Sequence, residues 1–174
     1  LYNKLVTDNP VNRCYYCKQG VFGTILEAAK NDGMTVILDG TNASDDADDR
    51  PGMKALQEMK VLSPLRMCGY VKSEIRKQSK EAGLFVYNKP SYACLATRIP
   101  TGTEIDEEKI KQVETAETFL FDLGFSDFRV RWMDNKAKIQ MPESQLQALM
   151  EKREIVLEEL SKIFDEVLLD LRTR

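Results

Sequence analysis

The chain has no histidine among its 174 residues. That removes the commonest general base and metal ligand, so proton transfer or metal binding falls to thiols, carboxylates, Lys and Arg. Cysteine is scarce as well. Cys14, Cys17, Cys68 and Cys94 are too few and too unevenly spaced to frame a small secreted protein, and reduced thiols in a cytoplasm are expected. No apolar run approaches the roughly 20 residues that cross a bilayer, and no signal-peptide pattern opens the sequence, so no membrane partner is expected. Nor is positive charge in excess. Lys and Arg number 25 against 28 Asp and Glu, a net charge of -3. Nothing draws the whole chain to nucleic acid, and any anion binding must come from local basic clusters. What is present, 43% hydrophobic and 30% charged residues, is an ordinary globular composition, long enough to bury a core.

A helix is expected from near Cys17, with Val21, Ile25, Leu26 and Ala29 at helical spacing and Asn31-Asp32-Gly33 ending it. Met34 to Leu38 (MTVIL) is a continuous apolar run stopped by Asp39-Gly40. It reads as a strand buried on both faces of a parallel sheet. A helix after Pro51 carries Met53, Leu56 and Met59, and KVLSPL is a short strand and turn. Val71 to Gly83 is a third helix, with Ser73 as N-cap and Gly83 as its stop. This order fits the trailing part of an open α/β sheet.

Tyr87 to Ile105 has no sustained period and reads as a hinge, which places a domain boundary near residue 100. Beyond it the pattern is α+β. Glu107 to Leu123 is a helix, FRVRWMDNKAKIQM a hairpin turning at Asp134-Asn135, Pro142 to Phe164 one or two helices, and EVLLDL a closing strand. The fold class is therefore α/β over residues 1–100, followed by a small α+β domain over 101–174 that could support oligomerisation.

Four constellations could carry chemistry. Cys14 and Cys17, in RCYYC, are a redox couple, half of a metal site, or two incidental thiols. Cys94, in a loop between Pro90 and Pro100, is a candidate third thiol, whereas Cys68 beside Met67 reads as a small buried residue. Three thiolates would leave one position of a metal or of one cluster iron open. The loop DGTNASDDADDRPG, Asp39 to Gly52, crowds carboxylates behind a strand. It is either a solvated acidic turn or, at a strand's carboxyl end, a nucleotide and cation site. In CLATR, Thr97 and Arg98 follow Cys94. In RVR, Arg129 and Arg131 lie at strand spacing and so share a face suited to a phosphate or carboxylate, or form an exposed basic stripe. Trp132 points the other way, towards a core.

RCYYCK, DGTNASDDADDRPG, SPL followed by K-x-E-I-R, KPSYACLATRIP and DFRVR occur in one order at one spacing. In this the chain resembles the LarE family of ATP-dependent sacrificial sulfur transferases, within the PP-loop ATP pyrophosphatase superfamily. The resemblance implies a parallel sheet of the adenine nucleotide alpha hydrolase type, a C-terminal α+β domain and a cytoplasmic homo-oligomer. It implies ATP and Mg2+ as cofactors and a small-molecule nucleotide substrate, pyridinium-3,5-biscarboxylic acid mononucleotide. A carboxylate of that substrate is adenylylated and converted to a thiocarboxylate for the nickel-pincer nucleotide cofactor of lactate racemase. Some members sacrifice one cysteine; others hold a 4Fe-4S cluster on three. With Cys14, Cys17 and Cys94 all present, the cluster-bearing kind is expected. Cys94, Arg98 and Glu117 would be catalytic; Thr97, Arg129 and Arg131 would bind substrate; Asp39, Thr41, Asn42, Asp46 and Arg50 would line the nucleotide side.

The family's phosphate-binding S-G-G-x-D-S loop has no counterpart here, so the 174 residues alone are expected not to adenylylate efficiently. Two rival readings remain: a tRNA thiolase of the same superfamily, which the net charge disfavours, and a zinc-stabilised, non-catalytic assembly module.

Overall fold

The computed structural model describes residues 3–45 and 51–173. The chain divides into two compact units. One comprises residues 10–89; the other joins residues 1–9 to residues 90–174. The division falls at Lys89/Pro90, compared with the boundary read near residue 100.

The second unit begins with a short helix α1, Lys4–Thr7, whose N-cap Asn3 accepts from the Leu5 amide. Residues 10–89 then carry α2 (Arg13–Asn31), α3 (Pro51–Glu58), α4 (Pro64–Met67) and α5 (Lys72–Glu81). Helix α2 starts at Arg13 rather than near Cys17. RCYYC is therefore its first turn and not a preceding loop, and nothing in the Asn12 cap's side chain announces the start. No residue of α2 is buried: Val21 is 52% exposed and Ile25 41%. Helix α5 starts one residue later than expected, capped at Val71, with Glu74 accepting from the Val71 amide where Ser73 was expected to cap. Gly83, at φ +70°, ends it as read.

The parallel sheet expected here is not shown. Among the described residues of this unit its trace is one parallel bridge, Leu38 to Leu62, in which the Asp39 amide donates to Leu62 O (2.9 Å) and the Leu62 amide to Ile37 O (3.0 Å). Met34, Val36 and Leu38 stand 57–64% exposed. The buried core is small: Met53, Leu56 and Val61, with Phe22, Ile37 and Met59 against them. Cys68 is a correction, being exposed rather than buried. It caps the four-residue α4 just before Gly69, φ +74°, where the chain turns at the surface.

The other unit is a three-stranded sheet under helices. α6 (Glu107–Asp122) precedes β1 (Arg129–Met133), β2 (Lys136–Gln140), α7 (Leu146–Glu151), α8 (Arg153–Leu160) and β3 (Glu166–Leu169). β1 and β2 pair antiparallel, Arg129 with Gln140 through Met133 with Lys136; β3 joins β2 in parallel. The hairpin turns on Asp134 (φ +50°) and Asn135 (φ +57°), residue types that tolerate the left-handed region a two-residue turn requires. Alternate residues of both strands, Val130, Ala137 and Ile139, meet Ala116 and Leu120 of α6, and Phe128, Leu160 and Phe164 complete a continuous core. Trp132 packs partly buried against it, its indole N–H donating to Gln112 (2.9 Å). At the other end of this unit Asn9, fully buried at φ +54°, donates through Nδ2 to Pro100 O (2.7 Å) and Thr103 O (2.9 Å). It pins the segment that follows the cysteine loop.

Candidate active site

Cys94 ends the irregular segment from Pro90 and heads a 3-10 turn, Leu95–Arg98. The turn is closed by its own residues: the Thr97 amide and the Thr97 hydroxyl both donate to Cys94 O, at 2.9 and 2.7 Å. The thiol of Cys94 is exposed. Arg98, by contrast, is 1% exposed. Its Nε and Nη2 donate to Glu117 Oε1 (2.6 Å) and Oε2 (3.0 Å), and its Nη1 to the Thr97 hydroxyl (2.9 Å). Helix α6 supplies Glu117 from its inward face, and Glu117 Oε1 also accepts from the Val130 amide (2.8 Å) on the outer edge of β1.

Arg129 and Arg131 flank that edge amide. Arg129, 5% exposed, donates to Phe128 O (2.6 Å) and Ser91 O (2.7 Å). Arg131 donates to Gln140 Oε1 (2.5 Å) and to Thr97 O (2.9 Å), and with Thr97 and Thr101 it lines a cavity of about 260 Å³. The structure thus brings Cys94, Thr97, Arg98, Glu117, Arg129 and Arg131 into one hydrogen-bonded neighbourhood. It divides the three guanidiniums by burial: Arg98 and Arg131 both border the cavity, but Arg98 is buried and Arg131 is only partly so, while Arg129 is buried away from it.

Tyr92 belongs to the same neighbourhood; it lies within KPSYACLATRIP, but the motif by itself assigns it no role. Its ring lies over the guanidinium carbons of Arg98 (5.4 Å) and Arg129 (5.8 Å) and against Phe121 (5.8 Å). Burial of the phenol, then its hydrogen bond to Glu117 and that residue's charge, push it up to about 12. The residue remains half-exposed.

In residues 10–89, Cys14 and Cys17 lie one turn apart on α2, both with exposed thiols. Tyr15 between them donates to Glu58 of α3 (2.6 Å) and accepts from Gln19 (2.8 Å), tying the cysteine turn to α3. Gly52 permits that approach: a Cβ there would meet Lys18 Cδ at 3.0 Å and Cys14 O at 3.4 Å. Asp39 and Thr41 are brought together, the Thr41 amide (3.2 Å) and hydroxyl (2.5 Å) both donating to the Asp39 carboxylate, with the Ser63 hydroxyl as a third donor (2.6 Å). Burial alone would raise Asp39. The hydrogen bonds from Ser63 and Thr41, together with the charge of Lys18, outweigh it and hold the carboxyl below its ordinary value. Ser63 and Lys18 are functional candidates the sequence did not single out; only the bridge Leu38 to Leu62 shows that Ser63 follows a neighbouring strand position. Asn42 accepts from Ser44 (3.0 Å) and donates its amide to Asp45 (3.1 Å). Asp46 and Arg50 lie outside the described residues.

The donor chemistry suits the expected groups in kind: exposed thiols one helical turn apart for a cluster, a charged carboxylate among hydroxyls for a nucleotide and its cation. Among the described residues, no group of three or more His, Cys, Asp or Glu side chains stands ready to hold a metal ion. No helix among them is long and apolar enough to cross a membrane.

A comparison against protein families finds no match. Individual relatives do match over nearly the whole chain. An uncharacterized protein of Synechocystis sp., slr1717, is 38% identical over 93% of the chain. The pyridinium-3,5-bisthiocarboxylic acid mononucleotide synthase of Lactiplantibacillus plantarum is 32% identical over 95% of it. An uncharacterized protein of Methanocaldococcus jannaschii, MJ0830, is 32% identical over 88%. The chain spans 60% of the length of each of these relatives. It is similar to them throughout, both units included, and the similarity to the synthase supports the likeness to the LarE family read from its motifs.

Proposed function

We propose that the protein of which these residues form all or part is an ATP-dependent sulfur transferase that converts a carboxylate of pyridinium-3,5-biscarboxylic acid mononucleotide to a thiocarboxylate. The observation that carries the reading is the Cys94 neighbourhood. An exposed thiol heads a turn fixed by buried charge, and the last residues of that turn line a cavity with the partly exposed Arg131 guanidinium. The similarity to the synthase supports the same reading.

Arg131, with Thr97 and Thr101 around it, is the side chain placed to meet the substrate's phosphate or second carboxylate, since a guanidinium matches both bidentately. Arg129 adds positive potential from below the surface, whereas the charge of Arg98 is met by Glu117. Asp39, Thr41 and Asn42, with Asp46 and Arg50, would receive ATP and Mg2+. Activation as an acyl-adenylate makes the carboxylate carbon electrophilic and gives it a leaving group in AMP. Cys14, Cys17 and Cys94 would hold a 4Fe-4S cluster, whose contribution is a sulfide available for transfer. The three thiolates leave one iron without a protein ligand.

The test is anaerobic purification with iron and acid-labile sulfide analysis, beside a Cys94→Ala variant. About four irons per chain, lost in the variant, are expected. No iron in either protein, with Cys94 lighter by the mass of one hydrogen sulfide after turnover, would replace the cluster with a sacrificial cysteine. No iron and no change at Cys94 would remove sulfur transfer altogether.

A further inference from the structure

Resemblance puts Glu117 among the catalytic groups. Its surroundings say otherwise. Oε1 accepts from Arg98 Nε (2.6 Å) and the Val130 amide (2.8 Å), Oε2 accepts from Arg98 Nη2 (3.0 Å), and the carboxylate is near enough to the Tyr92 phenol to help raise it. These three hydrogen bonds take up most of the about four lone-pair sites of a carboxylate. The residue is also wholly buried.

The groups gathered around this carboxylate come from three separate stretches of chain. Tyr92 lies two residues before Cys94 and Arg98 four after it; Val130 lies between Arg129 and Arg131 on the outer edge of β1. One carboxylate on α6 therefore ties Arg98, at the end of the Cys94 turn, to the strand that carries the substrate-side arginines. Tyr92 reinforces it, its ring lying over the Arg98 and Arg129 guanidiniums at 5.4 and 5.8 Å.

We propose that Glu117 and Tyr92 are positioning residues: they fix the Cys94 turn relative to Arg131 and touch neither metal nor substrate. The proposal rests on the sulfur-transfer reading for its purpose, though not for its geometry.

It is tested by peptide-resolved hydrogen exchange on the 174-residue chain, comparing Glu117→Gln and the milder Tyr92→Phe. Glu117→Gln retains a carbonyl acceptor but loses the charge. Exchange across residues 92–99 should quicken at least about tenfold, the loss expected of hydrogen bonds to a charged group, while 136–141 of the β2 region stays protected. Tyr92→Phe should affect the same segment less. A spectroscopic reading accompanies it: the high-pH phenolate titration that Tyr92→Phe abolishes should move down towards the ordinary tyrosine range in Glu117→Gln. Unchanged exchange at 92–99, or a uniform rise across residues 90–173, would overturn the proposal. So would Mn2+ binding to the wild-type chain that Glu117→Gln abolishes. Failure of the sulfur-transfer reading would show instead as missing iron and an unaltered Cys94, with this exchange pattern intact.

Discussion

Removing one member of the Arg98–Glu117 pair should cost far more than removing both. Each side chain is 1% exposed, and they share two hydrogen bonds at 2.6 and 3.0 Å. Glu117→Leu leaves a guanidinium buried without its counter-ion and Arg98→Met leaves a carboxylate in the same state; each should cost about 3–5 kcal/mol. Against a typical domain stability of about 5–15 kcal/mol, that is about a fifth of the total at the least. The double variant buries no charge. Its residual deficit is the Val130 amide, which loses its acceptor at about 1–3 kcal/mol. Two singles that sum to about 6–10 kcal/mol and a double near 1–3 imply strong coupling between the sites. Trp132 is the sole tryptophan and packs against the core of this unit, so urea unfolding followed by its fluorescence reads the relevant transition. With a slope of about 1–3 kcal/mol per molar urea, each single variant should lower the midpoint by roughly 2 M. Additive single and double effects, or single losses under about 1 kcal/mol, would show that water screens the pair and would refute the reasoning.

Asn9→Ala should cost about 1–3 kcal/mol, because it removes the donor to Pro100 O and Thr103 O and loses a residue type that tolerates φ +54°. Asn9→Asp should be no better, since a carboxylate cannot donate, and thermal melts of the two variants decide it. Tyr92 is raised from its ordinary value to about 12, so its contribution is full below about pH 10 and is lost as pH rises through about 12. Discounted for its half-exposed ring, the loss should be about 1 kcal/mol, and Tyr92→Phe should flatten that part of the stability profile. Asp39 is shifted the other way: its contribution holds above the ordinary carboxylate range and disappears as pH falls through the depressed value. Ser63→Ala should raise the Asp39 value measured by carboxyl-carbon NMR, and no change would remove Ser63 from the site.

The legible parts of the fold were those whose causes are local. The 129–140 hairpin is specified by alternation in RVRWM and KAKIQ and by two residues that accept positive φ between them. Helix α6 is specified by a 3.6-residue stripe with Asp106 at its cap, which accepts from the Lys109 amide at 2.8 Å. Met34–Leu38 has the composition of a doubly covered strand, yet a strand needs neighbours, and in the described residues it has a single bridge. Composition registers the burial a segment is suited to, not whether anything covers it. Asn9 was illegible for the converse reason: its carbonyl partners lie 91 and 94 residues away in sequence, and no periodicity links them.

The candidate site shows the same division at finer scale. Motif spacing could group Cys94, Thr97 and Arg98, and it could place Arg129 and Arg131 on one strand face. It could not rank three chemically identical guanidiniums, because their roles depend on what each donates to. Arg98 is neutralised by a buried carboxylate, Arg129 is engaged by main-chain carbonyls, and Arg131 is held by an amide oxygen and a carbonyl at the wall of a cavity. A guanidinium already ion-paired out of water gains little from a second anion and loses much if its first partner leaves. One held by neutral acceptors at an open wall keeps its charge uncompensated. Substrate affinity should therefore fall with Arg131→Met in the binding term, whereas Arg98→Met should act on folding. A KM rise confined to the Arg98 variant, in well-folded protein, would reverse that assignment.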